Sequence, residues 1–271
     1  MMESTLAKRV DRRPKRGMGT VVAVGLALVV GSILLESGSA FRDREQDKAE
    51  RQVLASELTT ALSEAYQGRQ VEVGPSVSGE AGELGRLMKV HMNALVADQQ
   101  ASQAEFVAAG GDRLLDASTF AGEAGLSGAR ARLAKARAIT EKYRVLPAVR
   151  LAELRAAVQA SPRLSPTTKR EALAGVDKGQ ARALAKVERI WGLEAKILDE
   201  VEGGLDVLQG ARGRWVVRDG QLLFARDDDL KAYDAHVQKI RRLAAEEEAL
   251  VAGAQAETMA GVERLRNPNG G

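Results

Sequence analysis

The 271-residue chain contains no cysteine. This absence excludes disulfides, thiolate metal sites, nucleophilic cysteines and a lipid-modified N-terminal cysteine. Aromatic residues are also scarce, at 3% of the chain, although hydrophobic residues as a whole make up 45%. Strands favour aromatic and β-branched residues, whereas Ala and Leu dominate here, so the composition predicts an all-α fold.

The chain also lacks the common motifs of catalytic and cofactor sites. It has no GxSxG, no HExxH, no P-loop and no dinucleotide-binding glycine pattern. Its two histidines, without cysteine or paired spacing, do not form a zinc pattern. We therefore predict a protein that is not an enzyme and that uses no cofactor or metal. An enzyme working through carboxylates alone is the alternative, but acidic residues are spread along the chain and none forms an obvious pair.

The net charge of +3 is concentrated at the N-terminus. Residues 1–17 contain six Lys and Arg residues against Glu3 and Asp11, a net +4, so the rest of the chain is slightly acidic. Nucleic-acid-binding surfaces are basic and often carry interleaved aromatic residues. We therefore predict no nucleic-acid partner.

An uncharged run follows this basic segment, and residues 17–35 read GMGTVVAVGLALVVGSILL. At about 1.5 Å per residue, a helix over residues 18–36 just crosses a hydrocarbon core of roughly 30 Å. Cations before the run favour a cytoplasmic N-terminus. The pattern predicts a single-pass protein of a bacterial inner membrane, anchored by Val21 to Leu35, with a basic cytoplasmic tail at residues 1–17 and a periplasmic C-terminal domain.

Cleavage of this segment is the alternative. Gly38, Ser39 and Ala40 are small residues of the kind a signal peptidase accepts, so the segment could be removed after about Ala40. The uncharged run is longer than the usual core of a signal peptide, about 7 to 15 residues, and this favours an uncleaved anchor.

In the rest of the chain, residues 37–52 are predicted to form a charged stalk and residues 53–266 a periplasmic domain. This domain is predicted to be an elongated bundle of four to five helices, because apolar residues recur at spacings of three and four. The stripes include Leu54, Leu58, Leu62 and Tyr66, then Leu84, Leu87, Met88, His91 and Leu95, and later a series from Leu173 through Trp191 to Leu208.

Glycine and proline mark the predicted boundaries. Breaks are predicted at Gly74-Pro75-Ser76 and at Gly110-Gly111-Asp112, and the segment GEAGLSG at residues 122–128 is predicted to be irregular. A short helix is predicted around residues 114–120. A long helix at residues 129–159 is predicted to be kinked by Pro147, and Ser165 is predicted to cap the helix that begins at Pro166.

One β signal interrupts the helices. Apolar runs flank Asp219-Gly220, a dipeptide that accepts the positive φ angles of a type I′ turn. Residues 214–225 are therefore predicted to form a hairpin. Asp227, Asp228 and Asp229 are predicted to cap the last helix, with a hard-cation site as the alternative. That helix carries Tyr233 on its apolar stripe, as a further candidate for a core or interaction anchor. Residues 267–271 are predicted to form a disordered tail.

Few side chains are candidates for a site. Trp191 and Trp215 are large rings in an aromatic-poor chain, and we interpret them as core anchors, with a ligand or partner surface as the alternative. His91 is interpreted as a core histidine with one hydrogen bond rather than a metal ligand. His236 is expected to face solvent, and Glu246, Glu247 and Glu248 are expected to form a solvated helix face.

The layout resembles a family. An N-terminal anchor, the charged segment FRDREQDKAERQ, a helical body and VVRDGQLLF followed by Leu230 and Tyr233 are similar to an uncharacterised group of bacterial lipoproteins or membrane-anchored periplasmic proteins. The similarity is clearest over residues 215–243. This chain departs from the pattern by lacking the lipid-accepting cysteine. The resemblance implies a helical domain of the cell envelope and no particular activity.

These patterns together favour a membrane-anchored scaffold or protein-interaction module that binds another envelope protein, with homo-oligomers also compatible. The alternative is a periplasmic small-molecule-binding sensor bundle, since helical bundles can hold ligands between their helices. Such a sensor would need a partner, because about 17 cytoplasmic residues leave no room for a signalling domain.

Overall fold

The structure is a computed structural model that describes residues 46–74, 78–121 and 125–266. The predicted tail, membrane anchor, most of the stalk, Pro75-Ser76 and the C-terminal tail at residues 267–271 lie outside these ranges. No helix within them combines the length and the apolar character that a membrane crossing requires.

The described chain is mostly helical with one small antiparallel hairpin, which confirms the predicted all-α fold with a hairpin. The six α-helices of the described ranges are α1 (Gln46–Tyr66), α2 (Gly79–Ala108), α3 (Gly125–Arg144), α4 (Leu146–Ala160), α5 (Pro166–Gly210) and α6 (Asp227–Arg266). Two 3-10 helices, Gly111–Arg113 and Ala117–Phe120, lie between α2 and α3. The strands β1 (Trp215–Arg218) and β2 (Gln221–Phe224) lie between α5 and α6.

The predicted single helix at residues 129–159 is wrong, because α3 and α4 are separate helices that meet at Val145. Pro147 lies in the first turn of α4. There its missing N–H needs no partner, whereas within a helix the ring would remove a hydrogen bond and clash with the preceding turn. The proline therefore begins a helix instead of kinking one, and the described ranges hold six helices where four to five were predicted.

The glycine-rich segment at residues 122–128 is also not irregular throughout, because α3 begins within it at Gly125. A Cβ at Gly125 would lie 2.2 Å from the carbonyl oxygen of Phe120, so glycine allows the preceding backbone to approach the start of the helix. The short helix predicted around residues 114–120 is present as the 3-10 helix Ala117–Phe120. Asp116 caps it by accepting a hydrogen bond from the Ser118 N–H at 3.1 Å.

These elements form two compact units, which are described separately. Among the described residues, unit 1 contains 103–141 and 192–247, and unit 2 contains 46–102, 142–191 and 248–266.

In unit 2, helix α1 packs against α2 through the predicted stripe. Leu54, Leu58 and Leu62 are all buried. A Cβ at Gly85 of α2 would lie 2.6 Å from Cδ1 of Leu54, so the glycine permits close packing of the two helices. The predicted cap of α5 is confirmed, since Oγ of Ser165 accepts a hydrogen bond from the Thr168 N–H at 3.2 Å.

In unit 1, the hairpin packs on a helical core. Asp219 and Gly220 have φ angles of 53° and 71°, as the predicted turn requires, and Trp215 pairs with Phe224 across the two strands. The core combines residues from the end of α2, the 3-10 segment, α3, α5, the hairpin and α6. Its members include Phe106, Leu114, Phe120, Leu126, Leu133, Leu198, Leu205, Leu208, Leu222, Phe224, Tyr233 and Ile240.

Candidate functional site: a buried glutamate pair

Two glutamates, Glu194 on α5 and Glu247 on α6, lie side by side in the interior of unit 1. Glu194 is 1% exposed and Glu247 is 7% exposed, and their side chains form a hydrogen bond with each other. Each occupies a position of its helix that the apolar spacing directs inward: Glu194 lies four residues before the buried Leu198, and Glu247 lies seven residues after the buried Ile240. The fold therefore removes two carboxyl groups from water at one place.

No described cation compensates the pair. Neither glutamate has an ion pair with a described Lys, Arg or His side chain, and Oε1 of Glu194 is buried without any hydrogen-bond donor from the described residues. Two ionised carboxylates cannot donate to each other, so only a shared proton can provide the hydrogen bond between them.

The pKa of both carboxyl groups is raised. Burial is the main reason that the pKa of Glu194 lies well above its ordinary value of 4.5, and the negative charge and hydrogen bond of Glu247 raise it further. Burial raises the pKa of Glu247 to about 7, although accepting the hydrogen bond from Glu194 opposes this shift. At neutral pH, Glu194 is therefore the protonated donor and Glu247 the acceptor. Such a pair can take up and release a proton near neutral pH.

The prediction that Glu246, Glu247 and Glu248 form a solvated face is wrong for Glu247. Glu246 and Glu248 are exposed, but Glu247 lies on the buried side of α6. The sequence contained the signal, because Glu247 falls three residues after Ala244 and four before Val251, within the apolar stripe itself. Glu194 shows the same signal, because it lies three residues after Trp191 and four before Leu198. An acid inside a stripe of apolar residues is the pattern that identifies this pair.

The structure also corrects the prediction for His236, since its ring is half-buried in unit 1 instead of facing solvent. Its Nδ1 lies 2.7 Å from Oε2 of Glu200, and Lys239 donates a hydrogen bond to Oε1 of Glu200 at 3.3 Å. Burial alone raises the pKa of Glu200, but the hydrogen bonds from His236 and Lys239 outweigh it and leave the pKa below its ordinary value. The ring fits here because the helix opposite carries Gly203.

Gly203 and the adjacent Gly204 provide a test of this fit. A Cβ at Gly203 would lie 2.4 Å from Cε1 of His236, whereas a Cβ at Gly204 would lie 3.5 Å from Cε2 of Tyr233, an ordinary contact. We expect Gly204→Ala to raise the free energy of unfolding by up to about 1 kcal/mol, because alanine is the better helix former. Gly203→Ala gains the same propensity but must displace the ring from Glu200, so we expect it to be less stable than Gly204→Ala by about 1–2 kcal/mol.

Urea unfolding of the two variants measures this difference. Adding His236→Ala to each variant should remove it, because the obstructing ring is then gone. Equal stability of the two single variants would show that His236 does not depend on the space at Gly203.

The predicted core histidine, His91, lies in unit 2. It is 5% exposed, its ring makes a hydrogen bond with the backbone of Arg150, and Nε2 has no partner among the described residues. Burial lowers the pKa of His91 to about 4, so the ring is neutral at neutral pH. Beside it, Arg150 donates two hydrogen bonds to the buried Asp98, at 2.7 and 2.8 Å, and a further one to Glu153 at 2.9 Å.

The other three predicted anchors are placed as follows. Trp191 is buried in unit 2. In unit 1, Trp215 packs partly buried against the core and its Nε1 donates a hydrogen bond to the carbonyl oxygen of Leu208 at 2.7 Å, which ties the hairpin to α5. Tyr233 is buried with its ring centroid 5.6 Å from that of Phe224. Trp215 and Tyr233 thus share the core of unit 1, whereas Trp191 and His91 belong to unit 2.

The three aspartates at residues 227–229 lie in the first turn of α6 instead of before it, since the helix begins at Asp227. There they complement the helix dipole. Asp229 also accepts hydrogen bonds from Arg214 at 2.8 and 3.0 Å. Across the described ranges, no three acidic or histidine side chains are grouped closely enough to hold a metal ion.

No protein-family model matches the chain, and no curated protein or solved structure is significantly similar to it. The resemblance to membrane-anchored envelope proteins therefore stays a prediction.

Proposed function

We propose that the chain is a membrane-anchored helical protein of the bacterial cell envelope, whose periplasmic body binds another envelope protein. The observation that carries the proposal is the order of segments at the N-terminus: six cations, an uncharged run long enough to cross a bilayer, and then a charged segment that leads into a helix. This order is typical of a single-pass anchor with its N-terminus in the cytoplasm.

The described helices are compatible with a binding role. Helices α5 and α6 contain 45 and 40 residues, several times the length usual in globular proteins, so each offers a long surface. Several large apolar side chains remain exposed on the helices, including Val53, Val90 and Val149, all at least 44% exposed. A partner that covers such residues removes their apolar surface from water, which stabilises the complex.

In-cell photo-crosslinking tests the proposal. A photoreactive amino acid is placed at Val90 or Val149 in the full-length chain, and the matched control carries it at Thr5 in the basic tail. We expect discrete adducts with one envelope protein from a body position and none of these from Thr5. The proposal fails if the body positions give no adduct, if they give only self-adducts, or if Thr5 captures the same protein.

A further inference from the structure

We propose that Glu194 and Glu247 form a proton-controlled contact between α5 and α6 in unit 1, which stabilises the packing of these helices while the pair holds a proton and weakens it when the last shared proton is lost. This inference is independent of the proposed function, because it rests only on the interior of unit 1. It begins from geometry: two carboxyl groups on different helices, both buried, in contact with each other and with no described cation.

A proton fits this place better than a metal ion. Ca²⁺ and Mg²⁺ require about six oxygen ligands, and within the described part of the chain no third acidic or histidine side chain joins the pair. A proton needs only one donor and one acceptor. It also suits a place where Oε1 of Glu194 is buried and no donor group of the described residues reaches it.

Other charged side chains lie near the pair along the same two helices. Those within five residues are Arg189, Lys196 and Asp199 on α5, and Arg242, Glu246 and Glu248 on α6. Asp199 is paired with Arg137 of α3 at 2.8 Å. Burial and the mutual interaction of the two glutamates are the causes that shift the pKa of either group.

The direction of the pH effect follows from the raised pKa values. The folded pair binds protons that the unfolded chain releases, so its contribution to stability is complete below the ordinary pKa of 4.5 and falls as pH rises through about 7, where Glu247 ionises. Further ionisation at higher pH places two negative charges together in the interior. For each proton that is bound to the pair in the folded protein and released in the unfolded chain, the unfolding equilibrium constant is expected to rise about tenfold per pH unit.

The experiment compares the full-length protein with Glu194→Gln, using Glu248→Gln as the control. The amide introduced by Glu194→Gln would donate a hydrogen bond to Glu247 at every pH, whereas Glu248 is an exposed acid on the same helix as Glu247. Thermal unfolding is followed from about pH 5 to about pH 8.5, a range that spans the titration of Glu247. We expect the melting temperature of Glu194→Gln to fall less with rising pH than that of the wild type and of Glu248→Gln.

His91 also titrates in unit 2, but the comparison cancels it. Its lowered pKa contributes stability that is present above pH 6.5 and is lost as pH falls toward about 4, the opposite direction to the glutamate pair. Because all three proteins contain His91, it contributes equally to each profile. The difference between Glu194→Gln and the wild type then reports the pair alone.

Infrared spectroscopy provides a readout that does not depend on stability. At neutral pH the wild type and Glu248→Gln should show the absorption of a buried protonated carboxyl group. Glu194→Gln should show a weaker band, because only Glu247, with its pKa of about 7, can then hold the proton. The proposal is overturned if the wild type shows no such band, if the three melting profiles are parallel, or if Ca²⁺ or Mg²⁺ stabilises the wild type but not Glu194→Gln.

Discussion

Replacing Arg150 with alanine is expected to lower the free energy of unfolding by about 3 kcal/mol, the lower end of the range for removing one partner of a buried ion pair. Arg150 donates two hydrogen bonds to Asp98, whose side chain is only 11% exposed. Without the guanidinium, the carboxylate loses its charged partner in a place where water reaches it poorly. The cost is therefore mainly that of an uncompensated buried charge.

The reverse substitution, Asp98→Ala, is expected to cost less, about 1 kcal/mol. Arg150 is 27% exposed and keeps its contacts with Glu153, so its charge remains solvated and paired. The double variant should be more stable than Arg150→Ala alone, because it removes the orphaned carboxylate. Urea unfolding of the three variants gives the comparison, with Arg144→Ala of the exposed Arg144–Glu188 pair as a control expected to cost less than about 1 kcal/mol. A larger loss for Asp98→Ala than for Arg150→Ala would contradict this account.

Truncating Leu208 to alanine is expected to lower the free energy of unfolding by about 3 kcal/mol. Leu208 is 0% exposed in the core of unit 1, and its carbonyl oxygen accepts the hydrogen bond from Trp215 that ties the hairpin to α5. Removing its side chain loses buried apolar surface and leaves a cavity that the surrounding helix and hairpin can fill only in part.

Leu230→Ala is the matched control, because Leu230 packs against the same core but is only partly buried. We expect it to cost about 1 kcal/mol, in proportion to the smaller apolar area that it removes from water. Chemical unfolding followed by tryptophan fluorescence reports both variants. If Leu230→Ala cost as much as Leu208→Ala, the core of unit 1 would not be centred where the structure places it.

Local patterns predicted much of this fold. The stripe of Leu54, Leu58 and Leu62, the cap at Ser165 and the Asp219-Gly220 turn each depend on residues close in sequence, and the structure confirms all three. Pro147 shows where such reasoning becomes ambiguous. A proline is compatible with a kink inside a helix and with the first turn of a new one, and the choice depends on packing that the sequence does not display.

The glutamate pair could be predicted only in part. Glu194 and Glu247 both interrupt apolar stripes, so their burial was available from helical spacing. Their contact could not be predicted. The two residues are 53 positions apart in the sequence, and they meet only because α5 and α6 are aligned with these two positions facing each other. His236 was misplaced for a similar reason: the space that receives its ring is created by Gly203 on another helix.

The most direct test of the proposed membrane-anchored arrangement uses the absence of cysteine, which makes any introduced thiol unique. Ser63→Cys places a thiol on the exposed face of α1, and Ser4→Cys places one in the basic tail. Intact cells with a permeabilised outer membrane are treated with a maleimide that cannot cross the inner membrane. The account predicts labelling of Ser63→Cys before lysis and of Ser4→Cys only after it, with both proteins in the membrane fraction. Protection of Ser63→Cys until lysis, or recovery of the protein in the soluble fraction, would contradict it.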